Sequence, residues 1–141
     1  MRLSDTIFLA ISKKIDVHIN LKYFRFQTGG KSLTLNTYLY IEKKKENWSI
    51  DSVGKAPHKQ GHTQKNELFR GPAEVCKFHA LAAFLAYAIA ELTGKRAMVK
   101  PTINCYGSQN LNSVLNGYEE GVLIRAFEDA GALQVNIKAN V

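Results

Sequence analysis

The amino-acid sequence predicts an α+β fold that forms a single domain over residues 1–141. Three patterns support this prediction. Alternating apolar and polar residues in the first third predict an antiparallel β-meander, an alanine-rich apolar run predicts one long buried central helix, and a second alternation near the end predicts a C-terminal β-hairpin. A chain of 141 residues is long enough to bury a core between such elements.

The first segment, residues 4–14, allows two interpretations. Ser4 or Asp5 can cap a helix in which isoleucines recur on one stripe. A strand over Thr6–Ile11 is the competing interpretation, because a short apolar run does not distinguish the two.

The meander begins at Val17, from which apolar residues recur at every second position. Phe24 and Phe26 fall out of phase with this alternation, so we expect a β-bulge near Tyr23–Phe24. The pair Gly29-Gly30 predicts a turn. The meander then continues through three further segments, which are a strand over residues 33–41, a charged turn over 43–47 and a strand over 48–54.

The central helix is predicted from Gly71 to Gly94. Pro72 suits the first helical position, where its missing N–H would have no partner, and Gly94 suits the left-handed position that closes a last turn. Residues 80–90 are apolar almost throughout, so the helix should be buried on most faces. The run is too short to cross a bilayer, and we expect no membrane partner.

The C-terminal part is predicted to contain a strand over Met98–Tyr106 and then one short helix that ends at Gly117. Residues 133–137 alternate and predict a further strand. We expect Val122–Phe127 to pair with it as a hairpin through a short turn. A helix over Glu119–Ala130 is the alternative, although its last turn would hold two acids that the helix dipole disfavours.

Net charge limits which partners are expected, and cysteine content limits the expected cellular compartment. The formal net charge is +7, which favours anionic partners. Cys76 and Cys105 are too few to form a disulfide framework, and they predict reduced thiols in a cytoplasmic protein. The N-terminal segment carries an acid early and lacks a small-residue cleavage site, so it does not predict a signal peptide.

Nucleic acid is the first expected partner. The segment 54–66 has no large apolar side chain and predicts a mobile basic loop beside aromatic strands. Cations that hold phosphates and rings that stack on bases are the means by which proteins bind single strands. The predicted contact residues are Arg25, Lys43, Lys44, Lys45, Lys55, Lys59, Lys65, Tyr38 and Tyr40. No RNA-recognition octamer or GXXG loop is present.

A pocket for a nucleotide-like small ligand is the alternative expectation. Asparagine can recognise base edges or hydroxyls, and arginine can fork onto a phosphate. The predicted pocket residues are Asn104, Tyr106, Asn110, Asn112 and Arg125. Asparagines also form turns, so the same residues have an ordinary structural interpretation.

Catalysis and metal binding are weaker expectations. Cys76 near a helix start, with His18 on an earlier strand as its base, would make a thiol hydrolase. The spacings Cys76/His79 and His58/His62 offer too few zinc ligands, so we expect no metal. The sequence TGGKS at residues 28–32 lacks the upstream glycine of a phosphate-binding loop and is interpreted as a hairpin turn.

These observations predict a non-enzymatic cytoplasmic protein that binds an anionic partner and has no cofactor. Nucleic acid is the main candidate partner, a nucleotide-like ligand or an inhibited partner protein is the alternative, and a thiol hydrolase using Cys76 and His18 is the third. Exposed strand edges and the alanine-rich helix also favour a homo-oligomer, since strand edges tend to be covered.

Overall fold

The computed structural model describes residues 13–44, 47–58, 63–69, 78–94 and 100–138. The residues it describes form eight strands and three α-helices, which confirms the predicted α+β class. The strands are β1 (Lys14–Ile19), β2 (Tyr23–Thr28), β3 (Lys31–Asn36), β4 (Tyr38–Lys44), β5 (Asn47–Val53), β6 (Thr63–Glu67), β7 (Thr102–Tyr106) and β8 (Gln134–Lys138). The helices are α1 (Phe78–Thr93), α2 (Asn112–Leu115) and α3 (Glu119–Asp129), with a 3₁₀ turn at Ser108–Leu111. The segment 4–14, apart from its last two residues, lies outside the described residues.

Five strands form the main sheet, in the order β3-β2-β1-β7-β8. The first three strands are antiparallel neighbours, although the predicted meander took β1 and β2 as one bulged strand, while β7 runs parallel to β1 and β8 runs parallel to β7. The bulge expected near Tyr23–Phe24 is wrong. The chain reverses at residues 20–22 instead, so that Ile19 pairs with Phe24 across a hairpin and both apolar sets face the same core. The Gly29-Gly30 turn is confirmed between β2 and β3.

A second sheet has the order β5-β4-β6. The single strand predicted over residues 33–41 is therefore wrong, because the chain leaves the main sheet at Thr37 and enters the second one at Tyr38. The buried Thr37 donates its hydroxyl to the carbonyl of Leu21 at 2.7 Å. The loop predicted over 54–66 is also shorter than expected, since its last residues pair with β4 as β6. Residues 59–62 of that loop lie outside the described residues.

The central helix is confirmed over Phe78–Thr93, and Gly94 closes it with a φ of +84°. Its first predicted turns, residues 71–77, lie outside the described part of the chain. One stripe is buried, and Phe84 meets the ring of Phe24 edge to face at a centroid distance of 5.6 Å. The opposite side is half-buried, so the helix is less enclosed than its apolar run predicts. No helix among the described residues is long and apolar enough to cross a membrane.

The C-terminal hairpin is wrong, because residues 119–129 form α3. Leu123, Ala126 and Phe127 recur at helical spacing and are buried. Burying a large apolar side chain contributes about 1.5–3 kcal/mol, whereas an acid near a helix C-terminus costs about 0.3–1 kcal/mol. Packing therefore outweighs the two terminal acids. The strand β8 is confirmed, but it pairs in parallel with β7 rather than in a hairpin. The short helical segment before Gly117 is confirmed as well.

The two faces of the main sheet differ in character. On one face Ile15, Val17 and Ile19 of β1 are buried in the apolar core, to which α1 and α3 also contribute. On the other face the intervening positions are polar, including Asp16 and His18. This polar face, where β1 and β7 end, carries the candidate site. The prediction of a single domain over residues 1–141 stays a prediction.

Candidate functional site

A cleft lies where the parallel strands β1 and β7 end side by side. In open α/β sheets, ligands bind outside the carboxyl ends of strands, at the point where the chain connections diverge. Here β1 leads to β2 on one side, while β7 and β8 lie on the other. The end cleft has a volume of about 240 Å³. Its lining consists of His18, Ile19, Asn20, Tyr23, Arg25, Tyr106, Gly107 and Asn110.

An aromatic pair forms one wall of the end cleft. The register of the parallel strands places His18 of β1 beside Tyr106 of β7. Their rings are stacked, with 5.1 Å between centroids and 16° between planes. Both side chains are half-buried, so the pair offers a partly exposed aromatic surface to a ligand.

The loop that follows β7 fits closely against the end of β1. The side-chain amide of Asn110 donates to the carbonyl of Ile19 at 2.9 Å. Gly107 has a φ of +80°, and a Cβ there would lie 2.8 Å from the same carbonyl oxygen. Glycine is required at this position because of both the left-handed backbone and the close approach. These contacts fix the floor of the cleft.

The β1–β2 turn forms the rim. The backbone N–H of Lys22 donates to the side-chain oxygen of Asn20 at 3.0 Å, and the N–H of Asn20 donates to the carbonyl of Tyr23 at 3.0 Å. Such a side-chain-to-backbone bond is the usual way in which asparagine stabilises a tight turn. The turn is therefore stabilised by hydrogen bonds among its own residues.

Arg25 and Tyr23 extend the end cleft across β2. Arg25 pairs in register with His18 and is exposed on the polar face of the sheet. Tyr23 is 41% exposed. Arginine is always charged and can bind phosphate with two parallel N–H groups. No carboxylate is among the described residues that line the cleft, so its fixed charge is positive.

A ladder of polar side chains lies beneath the cleft on the same face. The Asn104 amide donates to Asp16 at 3.2 Å, and the Asn136 amide donates to Asn104 at 3.1 Å. The register of β1, β7 and β8 brings these three residues side by side. The ladder links the three strands through side chains as well as through their backbones.

The predicted pocket residues are only partly together. Tyr106 and Asn110 line the end cleft, and Asn104 lies one step below it in the ladder. Asn112 instead donates to Glu119 at 3.0 Å. Arg125 projects from α3 and lies 3.7 Å from Asp129, with its side chain 75% exposed. That these residues bind a ligand stays a prediction.

The sequence predicts Arg25 as a nucleic-acid contact, and it places none of Asn20, Tyr23 and Gly107 in a ligand pocket. Two features of the sequence point to these residues. They are the glycine that directly follows the apolar strand β7 and the polar residues at the end of β1. Neither feature indicates a ligand site unless β1 and β7 are known to be neighbouring strands.

The residues predicted for nucleic acid are divided between the sheets. Arg25 lies on the main sheet, while the Lys65 ammonium lies 4.4 Å from the centroid of the Tyr38 ring in the second sheet. The rings of Tyr38 and Tyr40 meet edge to face at 5.6 Å. Lys55 is exposed beyond the end of β5. Lys45, Lys59 and the side chains of Lys43 and Lys44 lie outside the described residues.

The thiol hydrolase stays a prediction, and so does the absence of a bound metal. Cys76 and His62 lie outside the described residues, whereas His58 and His79 are exposed. Cys105 is buried, and burial raises the pKa of its thiol to about 12, which keeps it protonated. Among the residues that the structure describes, no three histidine, cysteine or acidic side chains are placed to hold a metal ion.

Known proteins resemble this chain in structure rather than in sequence. No protein-family model and no curated protein matches it. MreB5 of Spiroplasma citri bound to ADP matches with a TM-score of 0.64 and 14% identity, over 92% of this chain and 38% of that one. The same protein bound to AMPPNP matches with a TM-score of 0.60 and 13% identity, over 92% of this chain and 39% of that one. A non-polymerising A278D mutant of MamK bound to AMPPNP matches with a TM-score of 0.55 and 8% identity, over 89% of this chain and 41% of that one.

These matches overturn the main functional prediction. The matched structures hold ADP or AMPPNP, which are single nucleotides, so nucleic acid as the main partner is wrong and the small-ligand alternative is better supported. The chain spans about two fifths of the length of each matched chain. At such low identity the likeness shows the fold alone: the described residues have the fold of one part of MreB5 and MamK.

Proposed function

We propose that this protein binds a nucleotide such as ADP in the end cleft. The observation that carries the proposal is the position of that cleft, at the carboxyl ends of β1 and β7, in a fold whose matched structures hold nucleotides. The rule for ligands in open α/β sheets predicts the same edge of the sheet.

The chemistry of the lining fits an anionic ligand. Arg25 is exposed on the polar face and can hold a phosphate group through two N–H groups. His18 lies opposite it in the register, and Asn20 and Asn110 add amide groups around the rim. An end cleft without a carboxylate among its described lining residues does not repel the phosphates.

Self-association in the cytoplasm is the remaining part of the proposal. Among the described residues, the outer strands β3 and β8 each have one neighbour in the main sheet, and unpaired strand edges favour pairing with a second copy. Sedimentation velocity with and without ADP tests this part. A monomer under both conditions would contradict it.

Isothermal titration calorimetry of the 141-residue chain with ADP and with AMPPNP tests binding. We expect Arg25→Ala to weaken ADP binding about 10-fold or more, because a hydrogen bond to a charged group contributes about 1.5–3 kcal/mol. Arg125→Ala is the matched control: it removes the same charge from an exposed site on α3 and should leave the affinity unchanged. Absence of binding to the wild-type chain at millimolar nucleotide, or equal losses in both variants, would overturn the proposal.

A further inference from the structure

A second cavity, the junction pocket, lies between the β1–β2 turn and the second sheet. Its volume is about 380 Å³, larger than that of the end cleft. Leu21 and Lys22 of the turn form one side. Tyr38 and Lys65 of the second sheet form the other, with Phe69 beside them.

The junction pocket and the end cleft share a border. Asn20 lines the cleft, and the next two residues of the turn line the pocket. Tyr23 lines the cleft, and its register partner Asn36 lines the pocket. Directly paired residues of antiparallel strands have Cα atoms about 4.5–5.5 Å apart, so one ligand can reach both cavities.

The two cavities differ in chemistry. The end cleft is lined by arginine, histidine and amide groups, which suit phosphates. The junction pocket has an apolar part formed by Leu21, the ring of Tyr38 and the buried Phe69, and it is bordered by the charged side chains of Lys22, Lys65 and Glu67. A planar heterocycle can stack on the Tyr38 ring once it displaces the Lys65 ammonium, which lies 4.4 Å from the ring centroid, and base stacking on aromatic rings tolerates every base.

Asn36 provides a polar group at the border. Its amide nitrogen donates to the carbonyl of Gly54 at 3.1 Å and contacts the Tyr38 hydroxyl at 3.4 Å. Its side-chain oxygen lies on an exposed residue and can accept a further hydrogen bond. The exocyclic amine of a base such as adenine is the donor that would complement it.

Size also favours a shared ligand. Pockets for small molecules usually measure about 300–1,000 Å³, so the end cleft of about 240 Å³ is small for a whole nucleotide. We propose that the junction pocket holds the base and the end cleft holds the phosphates of one bound nucleotide. This inference rests on the proposed function and adds the orientation of the ligand.

Calorimetry with ADP and with inorganic pyrophosphate separates the two halves of the site. We expect Tyr38→Ala to weaken ADP binding roughly 10-fold while pyrophosphate binding stays within about twofold, because the base loses its aromatic wall and the phosphates lose nothing. Tyr38→Phe keeps the ring and should bind both ligands like the wild type. Arg25→Ala should weaken both.

The outcomes distinguish this inference from the function on which it rests. A wild-type chain that binds neither ligand overturns the proposed function. A chain that binds ADP, in which Tyr38→Ala changes nothing or weakens both ligands equally, overturns the orientation alone.

If Tyr38→Ala does not fold, photolabelling of the wild-type chain with 8-azido-ADP tests the same orientation. We expect the label on peptides that contain Tyr38 or Phe69. A label confined to peptides around Tyr106 and Asn110 would overturn the orientation.

Discussion

The ring of His18 in β1 lies stacked on the ring of Tyr106 in β7, at 5.1 Å between centroids and 16° between planes. The pair exists because the two strands are parallel neighbours in this register. It joins distant parts of the sequence at the wall of the end cleft.

The first prediction concerns this pair. Replacing Tyr106 by alanine should lower the free energy of unfolding by at least about 1 kcal/mol more than replacing it by phenylalanine, since a stacked aromatic pair contributes about 0.5–1.5 kcal/mol beyond its buried area and alanine also loses that area. Urea denaturation followed by circular dichroism measures the difference. Equal stability of Tyr106→Ala and Tyr106→Phe would show that the stack contributes nothing.

Gly107 and Gly121 should respond in opposite ways to alanine. Gly107→Ala should cost about 2 kcal/mol or more, because its φ is +80° and the new Cβ would meet the Ile19 carbonyl at 2.8 Å. Gly121 lies within α3 with open space around it, so Gly121→Ala should gain about 0.5–1 kcal/mol. Chemical denaturation of both variants compares them directly, and a loss of stability in Gly121→Ala would contradict the packing of α3.

The contact of α1 with the main sheet predicts a large effect at Phe84. Phe84 is fully buried and packs against Phe24 and Phe26. Phe84→Ala should cost about 3–5 kcal/mol through lost burial and the cavity left behind. Tyr118→Ala, at a residue 75% exposed, should change stability by less than about 0.5 kcal/mol. Thermal and urea denaturation measure both, and similar losses would contradict the burial of α1.

The pH dependence of stability should carry a contribution from Glu119. The hydrogen bond from the Asn112 side chain is the main cause that lowers the pKa of this carboxyl, followed by its own backbone N–H and then that of Gly117, while burial opposes the shift. Because the folded-state pKa is below the unfolded value of about 4.3, the stabilisation is present above that value. It is lost as pH falls through the folded-state pKa.

Comparison of the wild type with Glu119→Gln between pH 7 and 2.5 isolates this contribution. The neutral isostere should show a shallower loss of stability on acidification. Parallel pH profiles for the two proteins would show that the Asn112–Glu119 bond does not favour the ionised carboxyl.

Cys105 should be inert in the folded protein. Its thiol is buried, and burial raises its pKa to about 12, so the thiol stays protonated at pH 8. Iodoacetamide labelling followed by peptide mass spectrometry should modify this residue only after denaturation. Rapid labelling of Cys105 under native conditions would contradict its burial.

Local signals in the sequence predict several elements correctly. Gly29-Gly30 predicts the β2–β3 turn, Gly94 predicts the end of α1, and the alternation over residues 133–137 predicts β8. Each signal depends on a backbone conformation or a burial pattern that a few adjacent residues specify by themselves.

The wrong secondary-structure predictions occur where the spacing of apolar residues fits more than one structure. The change of phase at Tyr23–Phe24 fits a bulge or a tight hairpin equally well, and only the pairing of β1 with β2 decides for the hairpin. The alternation over residues 33–41 continues through Thr37, yet that residue is where the chain passes from one sheet to the other. In residues 119–129, the acids of the last turn argue against a helix that tertiary packing then stabilises.

The sequence by itself determined the α+β class, the central helix and several turns, because periodic burial and glycine conformation act over a few neighbouring residues. Only the tertiary structure decided that β7 lies parallel to β1, and with it the position of the end cleft. Parallel pairing joins segments that are far apart in the chain, and no local pattern encodes which strand will be the neighbour. His18 and Tyr106 could therefore be recognised as one site only after folding had brought them together.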